Sequence, residues 1–311
     1  MTDVPQGYLP PPDAYQSPVA MGLDANDPLV NPLVAGINGW FNRVSGTFKR
    51  SWRSMAAIFA ITYLVPNIVL TVAGAAVNFL FLSAFLREFQ GTAYRSNPDT
   101  FARLGIPLIV VGLIALVAVI LIYLVELAGY AAATYAVTRE AAGQRVPLGE
   151  ALAYGFRRAP GLFGWQFLSG LLIVLGFVAC ILPGFYMVAA LALVGPIYLF
   201  ERTNPIGRSF SIFNNNLGRV LGRLALLLCA MIAAAVLNGF ISVIGSVATG
   251  TLGNASLDLS TTVASSTVSS VLGVIIQLPL TMVIFTGILL TYAEQRGAEG
   301  PVNSATLAAE L

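Results

Sequence analysis

Long apolar stretches nearly free of charge alternate along this chain with short segments in which the sixteen Lys and Arg residues gather. A helix needs about twenty apolar residues to cross a hydrocarbon core of about 30 Å. Stretches of that order lie at 55–86, 105–138, 162–182, 184–201, 220–250 and 263–293. The pattern predicts an all-α, polytopic membrane bundle of six transmembrane helices arranged as three hairpins. The second stretch exceeds the minimum and should tilt or project at its Ala-rich end, Ala131 to Thr138, while the fourth is at the short limit. Pro183-Gly184 is the only punctuation between the third and fourth, which form either a very tight hairpin or a re-entrant pair.

The segment before each hairpin repeats one theme, basic and aromatic. The first holds Phe48-Lys49-Arg50-Ser51-Trp52-Arg53, the second Phe156-Arg157-Arg158 followed by Trp165, and the third Arg208-Ser209-Phe210 followed by Phe213, Arg219 and Arg223. At about 100° per residue, Ile37, Trp40, Phe41, Val44, Phe48, Trp52 and Met55 share one arc of the first, with Arg43, Lys49, Arg50 and Arg53 opposite. Each preamble is therefore predicted to be a cytoplasmic amphipathic helix lying in the interface, its aromatics among acyl chains and its cations at lipid phosphates. Lys49, Arg50, Arg53, Arg157, Arg158, Arg208 and Arg219 are the candidate headgroup contacts.

Counting basic residues by loop orients the chain. Thirteen fall on one side, before the first stretch, between the second and third, between the fourth and fifth, and after the sixth. Only Arg87, Arg95 and Arg103 fall on the other. Both ends are expected in the cytoplasm of a bacterium, with the bundle in its plasma membrane. The domain reading is a disordered Pro-rich tail over 1–36, a membrane domain over 37–296 and a short cytoplasmic tail over 297–311. Tyr8 and Pro10, Pro11 and Pro12 lie in a stretch without the basic start and apolar core of a signal peptide.

Composition narrows the chemistry. Hydrophobic residues make up 57% of the chain and charged ones 10%, well below the quarter usual in soluble domains. A net charge of +2 without a run of like charges gives no case for nucleic acid. Histidine is absent, which removes the commonest general base and metal ligand, and Cys180 and Cys229 lie in apolar stretches as small hydrophobes. No phosphate-loop or dinucleotide fingerprint occurs, and Asn254-Ala255-Ser256 matches a glycosylation acceptor only formally. No enzyme activity and no cofactor are expected.

Glu126 is the acidic residue deep inside a predicted span, and a charge there costs a few kcal/mol on insertion scales. It is read either as a functional carboxylate or as one that reaches water near a helix end, with Tyr123 and Tyr130 on its face as hydrogen-bond partners. Glu201, beside Arg202 and before Arg208, is a candidate structural lock. Asn78, Asn238 and Gln277 are uncharged polar residues expected to bond neighbouring helices.

The stretch from about Ala128 to Leu224 resembles the bacterial family named for the membrane domain of glycerophosphoryl diester phosphodiesterase. The resemblance is carried by Ala131-Ala132-Ala133-Thr134-Tyr135, Gly143, Pro147, Glu150-Ala151-Leu152, Ile181-Leu182-Pro183-Gly184-Phe185-Tyr186, Pro196, Glu201, Arg208-Ser209-Phe210 and Gly218-Arg219. It implies a multi-span membrane module without the catalytic domain, whose histidines and metal-binding acids have no counterpart here. Asn214-Asn215-Asn216 stands where the family pattern has a more basic, tryptophan-bearing helix. The function expected is a lipid-facing scaffold or interaction module with anionic lipids, and a membrane protein, as partners. The alternative is a permease for a lipid precursor or other amphiphile that uses Glu126.

Overall fold

The computed structural model describes residues 26–90, 100–201, 203–248 and 259–311. Tyr8, the Pro10 to Pro12 run, Arg95, Arg202 and Asn254 lie outside the described residues, as do the side chains of Arg87 and Arg103. Among the described residues every regular element is helical. They are a 3-10 turn (Leu33–Ala35), α1 (Gly36–Phe59), a π-helical turn (Ala60–Leu64), α2 (Val65–Gln90), α3 (Thr100–Ala141), α4 (Leu148–Ala179), α5 (Ile181–Leu191), α6 (Val194–Phe200), α7 (Pro205–Asn215), α8 (Leu217–Ala248), α9 (Leu259–Glu299) and α10 (Ser304–Glu310). Six stretches are long and apolar enough to span a membrane: Gly36–Ser83, Ile109–Ala141, Leu148–Ala179, Ile181–Phe200, Leu217–Gly245 and Thr262–Glu299.

All three preambles are helical. The first two run into the following span as the leading turns of one long rod, and only the third is a separate helix, α7. The π turn between α1 and α2 sits where Pro66 has no N–H to offer the Thr62 carbonyl, so the ladder must widen or break there.

Prolines also set the breaks in the fourth span. Cys180, extended at φ −173° and ψ 160°, ends α4 and starts α5, so Pro183 falls in the first turn of α5 where its missing N–H costs nothing. The Phe177 ring packs where a Gly184 side chain would stand. The turn therefore precedes the Pro183-Gly184 pair rather than falling on it. Continuing α5 would drive the Pro196 ring into the carbonyl of Ala192, and the helix is interrupted between Leu191 and Val194.

Beyond that interruption, α7 folds back along α5. Ser209 Oγ donates to the Ala190 carbonyl at 2.6 Å and the Tyr186 hydroxyl to Asn214 Oδ1 at 2.8 Å. The α4–α5 tip lies five residues before Tyr186, about 7.5 Å of helix, and exposes Val178, Ile181 and Leu182.

The core gathers at the basic end, where α1, α3, α4, α6 and α9 converge on Met55, Ala132, Leu162, Ile197 and Leu289. Small residues on α3 allow close approach. Gly155 of α4 rests on the α3 backbone so tightly that a β-carbon would collide with the Ala128 carbonyl oxygen and Ala132. Away from this core, Leu80, Ile114, Phe167, Phe240 and Val247 point outward from the bundle.

The tail assigned to 1–36 is, in its described part, tied to the bundle. Asp27 Oδ1 accepts from the Leu29 and Val30 amides at 2.8 and 2.7 Å, while its carboxylate also receives the Ser304 amide and hydroxyl at 2.7 Å each. Leu29 and Val30 are buried, and so are Leu307 and Ala308 of α10, inside the stretch assigned to a C-terminal tail. Both short segments had too little apolar length to register as structure in the sequence.

Candidate functional site

Carboxylates at the basic end are largely consumed by internal partners. Glu294 meets Arg223 in a two-pronged ion pair with both contacts at 2.6 Å, and Asn31 Nδ2 donates to the same carboxylate at 3.0 Å. Glu201 holds Arg208 Nε at 2.8 Å and accepts the Tyr292 hydroxyl at 3.1 Å, with Arg296 Nε at 3.7 Å. Glu299 also binds Arg208, and Glu310 binds Arg296 at 2.6 Å. Hydrogen bonds donated to Glu299 and Glu201 hold the Arg208 guanidinium above its ordinary pKa against the opposing effect of burial.

The cations are not consumed to match. Among the described residues, Lys49, Arg50, Arg53, Arg157, Arg158 and Arg219 have no carboxylate within 4.0 Å. Arg50 reaches only the Thr47 hydroxyl and Arg219 the Asn216 side chain. Arg53 lies over the Trp52 ring at 5.5 Å and Arg158 over Tyr154 at 5.7 Å, contacts that place a guanidinium without neutralising it. Arg208 is therefore distinct from the other candidate headgroup contacts, being locked between two carboxylates.

Two recesses open beside these cations. One, of about 280 Å³, is lined by Tyr135, Arg139, Glu150, Tyr154 and Arg157. The Tyr135 and Tyr154 rings stack at 4.6 Å, Arg139 lies 4.5 Å over Tyr135, and the Tyr135 hydroxyl donates to Glu150 at 2.5 Å. Tyr154 is 4% exposed, and Arg158 is the charged group nearest its ring. The other recess, of about 240 Å³ between α1, α3 and α4, has Arg53 and Ser54 beside the apolar side chains of Ile58, Ala136, Val146 and Leu148. A cation beside an apolar slot suits an amphiphile with an anionic head.

The first preamble only partly faces outward. Phe41 and Trp52 are 62% and 48% exposed and can sit among acyl chains, whereas Trp40, Val44 and Met55 of the same arc are buried in the protein core. The wheel could not separate the two because protein and lipid interiors select the same residue types.

Glu126 is half-buried, and its partner is Asn67 of α2, whose Nδ2 donates to it at 2.6 Å. Neither tyrosine on its own face fills that role. Tyr123 packs on Phe163 and Tyr130 on Phe285. Glu126→Gln keeps an acceptor for Asn67 and is expected to leave thermal stability in detergent nearly unchanged. Glu126→Leu leaves Asn67 Nδ2 with the Tyr63 carbonyl as its remaining acceptor and should cost about 1 kcal/mol.

Sequence reasoning missed Glu294, which is fully buried one residue past the predicted end of the last span. Among the described residues no three carboxylates or thiols gather as metal ligands.

Six long apolar helices whose outer faces are also apolar define a multi-pass integral membrane protein of the all-α class. Comparison with protein-family models, curated proteins and solved structures gives no match, so the resemblance over 128–224 stands on its residues alone.

Proposed function

We propose that this protein is a non-catalytic membrane module that gathers anionic lipid headgroups on its basic face. The carrying observation is the charge imbalance at that end: Glu201, Glu294, Glu299 and Glu310 are spent on internal ion pairs, Glu140 and Glu150 accept from Ser54 and Tyr135, and Lys49, Arg53, Arg157 and Arg158 have no carboxylate within 4.0 Å among the described residues. Phosphates of a lipid leaflet are the natural counter-ions for such a set, each cation near an anionic surface contributing about 1 kcal/mol. Exposed Phe41, Trp52 and Phe156 beside them supply aromatic anchors at the same level. On the basic-residue count this face is the cytoplasmic one of a bacterial plasma membrane, with both ends inside. The family resemblance points to the same kind of module.

A ligand that binds only the folded state raises its stability. Phosphatidylglycerol, added to the protein in neutral detergent, should raise its Tm by several degrees where phosphatidylcholine does not. In the variant carrying Lys49→Gln, Arg53→Gln, Arg157→Gln and Arg158→Gln most of that difference should vanish. An unchanged response in the folded variant would remove the basis of the reading.

The Glu126–Asn67 pair favours a second reading, a permease for a lipid precursor or other amphiphile. A measured flux whose rate and pH dependence survive Glu126→Gln would eliminate that role for the carboxylate.

A further inference from the structure

A further cavity lies toward the other end of the α8–α9 pair, away from the cations. It has a volume of about 590 Å³ and is walled by α8, α9 and one residue of the π turn, Tyr63. Asn238 and Ser242 face it from α8, and Ser266, Ser269 and Gln277 from α9. No charged side chain lines it among the described residues.

This volume is not a place where two helices simply splay apart. The helices touch at two levels: a β-carbon at Gly273 would stand 3.1 Å from Asn238 Oδ1, and one at Gly245 would stand 2.9 Å from Ser269 Oγ. Tyr63 closes a third side, and it is held from behind by Asn67, whose Nδ2 donates to its carbonyl at 2.8 Å and to Glu126. A π turn at this point sets the register of Tyr63 relative to α1, a use of π geometry that recurs at binding sites.

The hydrogen-bonding character of the wall restricts the ligand. Ser265, Ser266 and Ser270 each donate their hydroxyl proton to a carbonyl of their own helix, at 3.0, 3.0 and 2.8 Å. Their oxygens are left as acceptors. Asn238 and Gln277 can both donate and accept. Such a wall matches a ligand with several hydroxyls of its own. With no charged side chain in the lining, neither an anion nor a cation finds a counter-charge.

We propose that this cavity is a binding site for an uncharged polyhydroxy compound, either a free polyol or sugar or the same group as the head of a neutral glycolipid. A volume in the range of 300–1,000 Å³ is ordinary for a small-molecule site. This site is separate from the basic face and does not depend on anionic lipid binding there.

The test uses the full chain in nanodiscs of phosphatidylcholine. Calorimetry with inositol and with maltose probes the free ligands, and native mass spectrometry after adding glucosyl-diacylglycerol probes the lipid source. Saturable binding in either arm is expected, weakened at least tenfold by Asn238→Leu or Gln277→Leu and unaffected by Arg53→Gln. No binding in both arms, equal affinity in both Leu variants, or tighter binding of glucose phosphate than of glucose would overturn the proposal. Should the Leu variants fail to fold, Ser269→Cys in a Cys180→Ser, Cys229→Ser background provides the readout. Alkylation of that cysteine should slow at least threefold with ligand present, and an unaltered rate would count against the site.

Discussion

Arg223→Leu should destabilise the protein by about 3–5 kcal/mol, because it leaves the Glu294 carboxylate charged, buried and without its guanidinium. The pair is closed off on every side. Arg223 is 5% and Glu294 0% exposed at the side chain, the two prongs are each 2.6 Å, Asn31 adds a third donor to the carboxylate, and Arg223 Nη1 also donates to the Arg219 carbonyl at 3.2 Å. Loss of one partner thus releases a charge that has no route to water. The contribution of the pair relative to apolar side chains is much smaller, since desolvation of both ions offsets their attraction. Arg223→Leu together with Glu294→Leu should therefore be less destabilised than either single variant. Apparent Tm in mild detergent for the three variants checks this, and a double variant at least as unstable as the singles would refute the desolvation argument.

Gly155→Leu is expected to have the next largest effect, at the upper end of the 1–3 kcal/mol typical of overpacking or somewhat above it. The obstacle at Gly155 is the α3 backbone itself, the carbonyl of Ala128, which cannot rotate away as a side chain could. The α3–α4 contact would have to open, and with it the stack of Tyr135 on Tyr154, the residue next to Gly155. The expected result is a lower Tm together with a weaker phosphatidylglycerol response, both read in the same thermal-shift experiment. A variant as stable as the wild type would mean that α4 does not pack this closely on α3.

The spans were legible because a helix in lipid announces itself by length and absence of charge, two properties that need no partner to be seen. Their ends were less so. Leu148 opens α4 well before residue 162 because the backbone continues helically through Phe156, Arg157 and Arg158, whose polarity says where water is rather than where the helix stops. The interruption before Val194 did have a signal, Pro196, four residues past the carbonyl that its ring excludes. Part of the Ser/Thr-rich connection over 251–266 is helical from Leu259, since serine and threonine hydroxyls can bond their own helix as readily as a turn.

For the candidate site, residue types were visible and pairings were not. Glu126 stood out within an apolar run, yet its partner Asn67 is 59 positions away on another helix. Glu294 lay just beyond the apolar run and passed as an ordinary flank, with Arg223 71 positions distant. The seven cations proposed as headgroup contacts looked equivalent in sequence. Only tertiary packing distinguishes Arg208, clamped by Glu201 and Glu299, from Arg157, which is without a carboxylate partner at the mouth of the tyrosine-lined recess.

The most direct measurement is the composition of lipid retained by the wild-type protein after extraction from nanodiscs holding equal phosphatidylglycerol and phosphatidylcholine. Enrichment of phosphatidylglycerol, reduced by salt and by the four-residue Lys/Arg→Gln variant, is the predicted result. A retained shell with the same composition as the bulk, at low salt and with the wild-type chain, would contradict the assignment of the basic face to anionic headgroups.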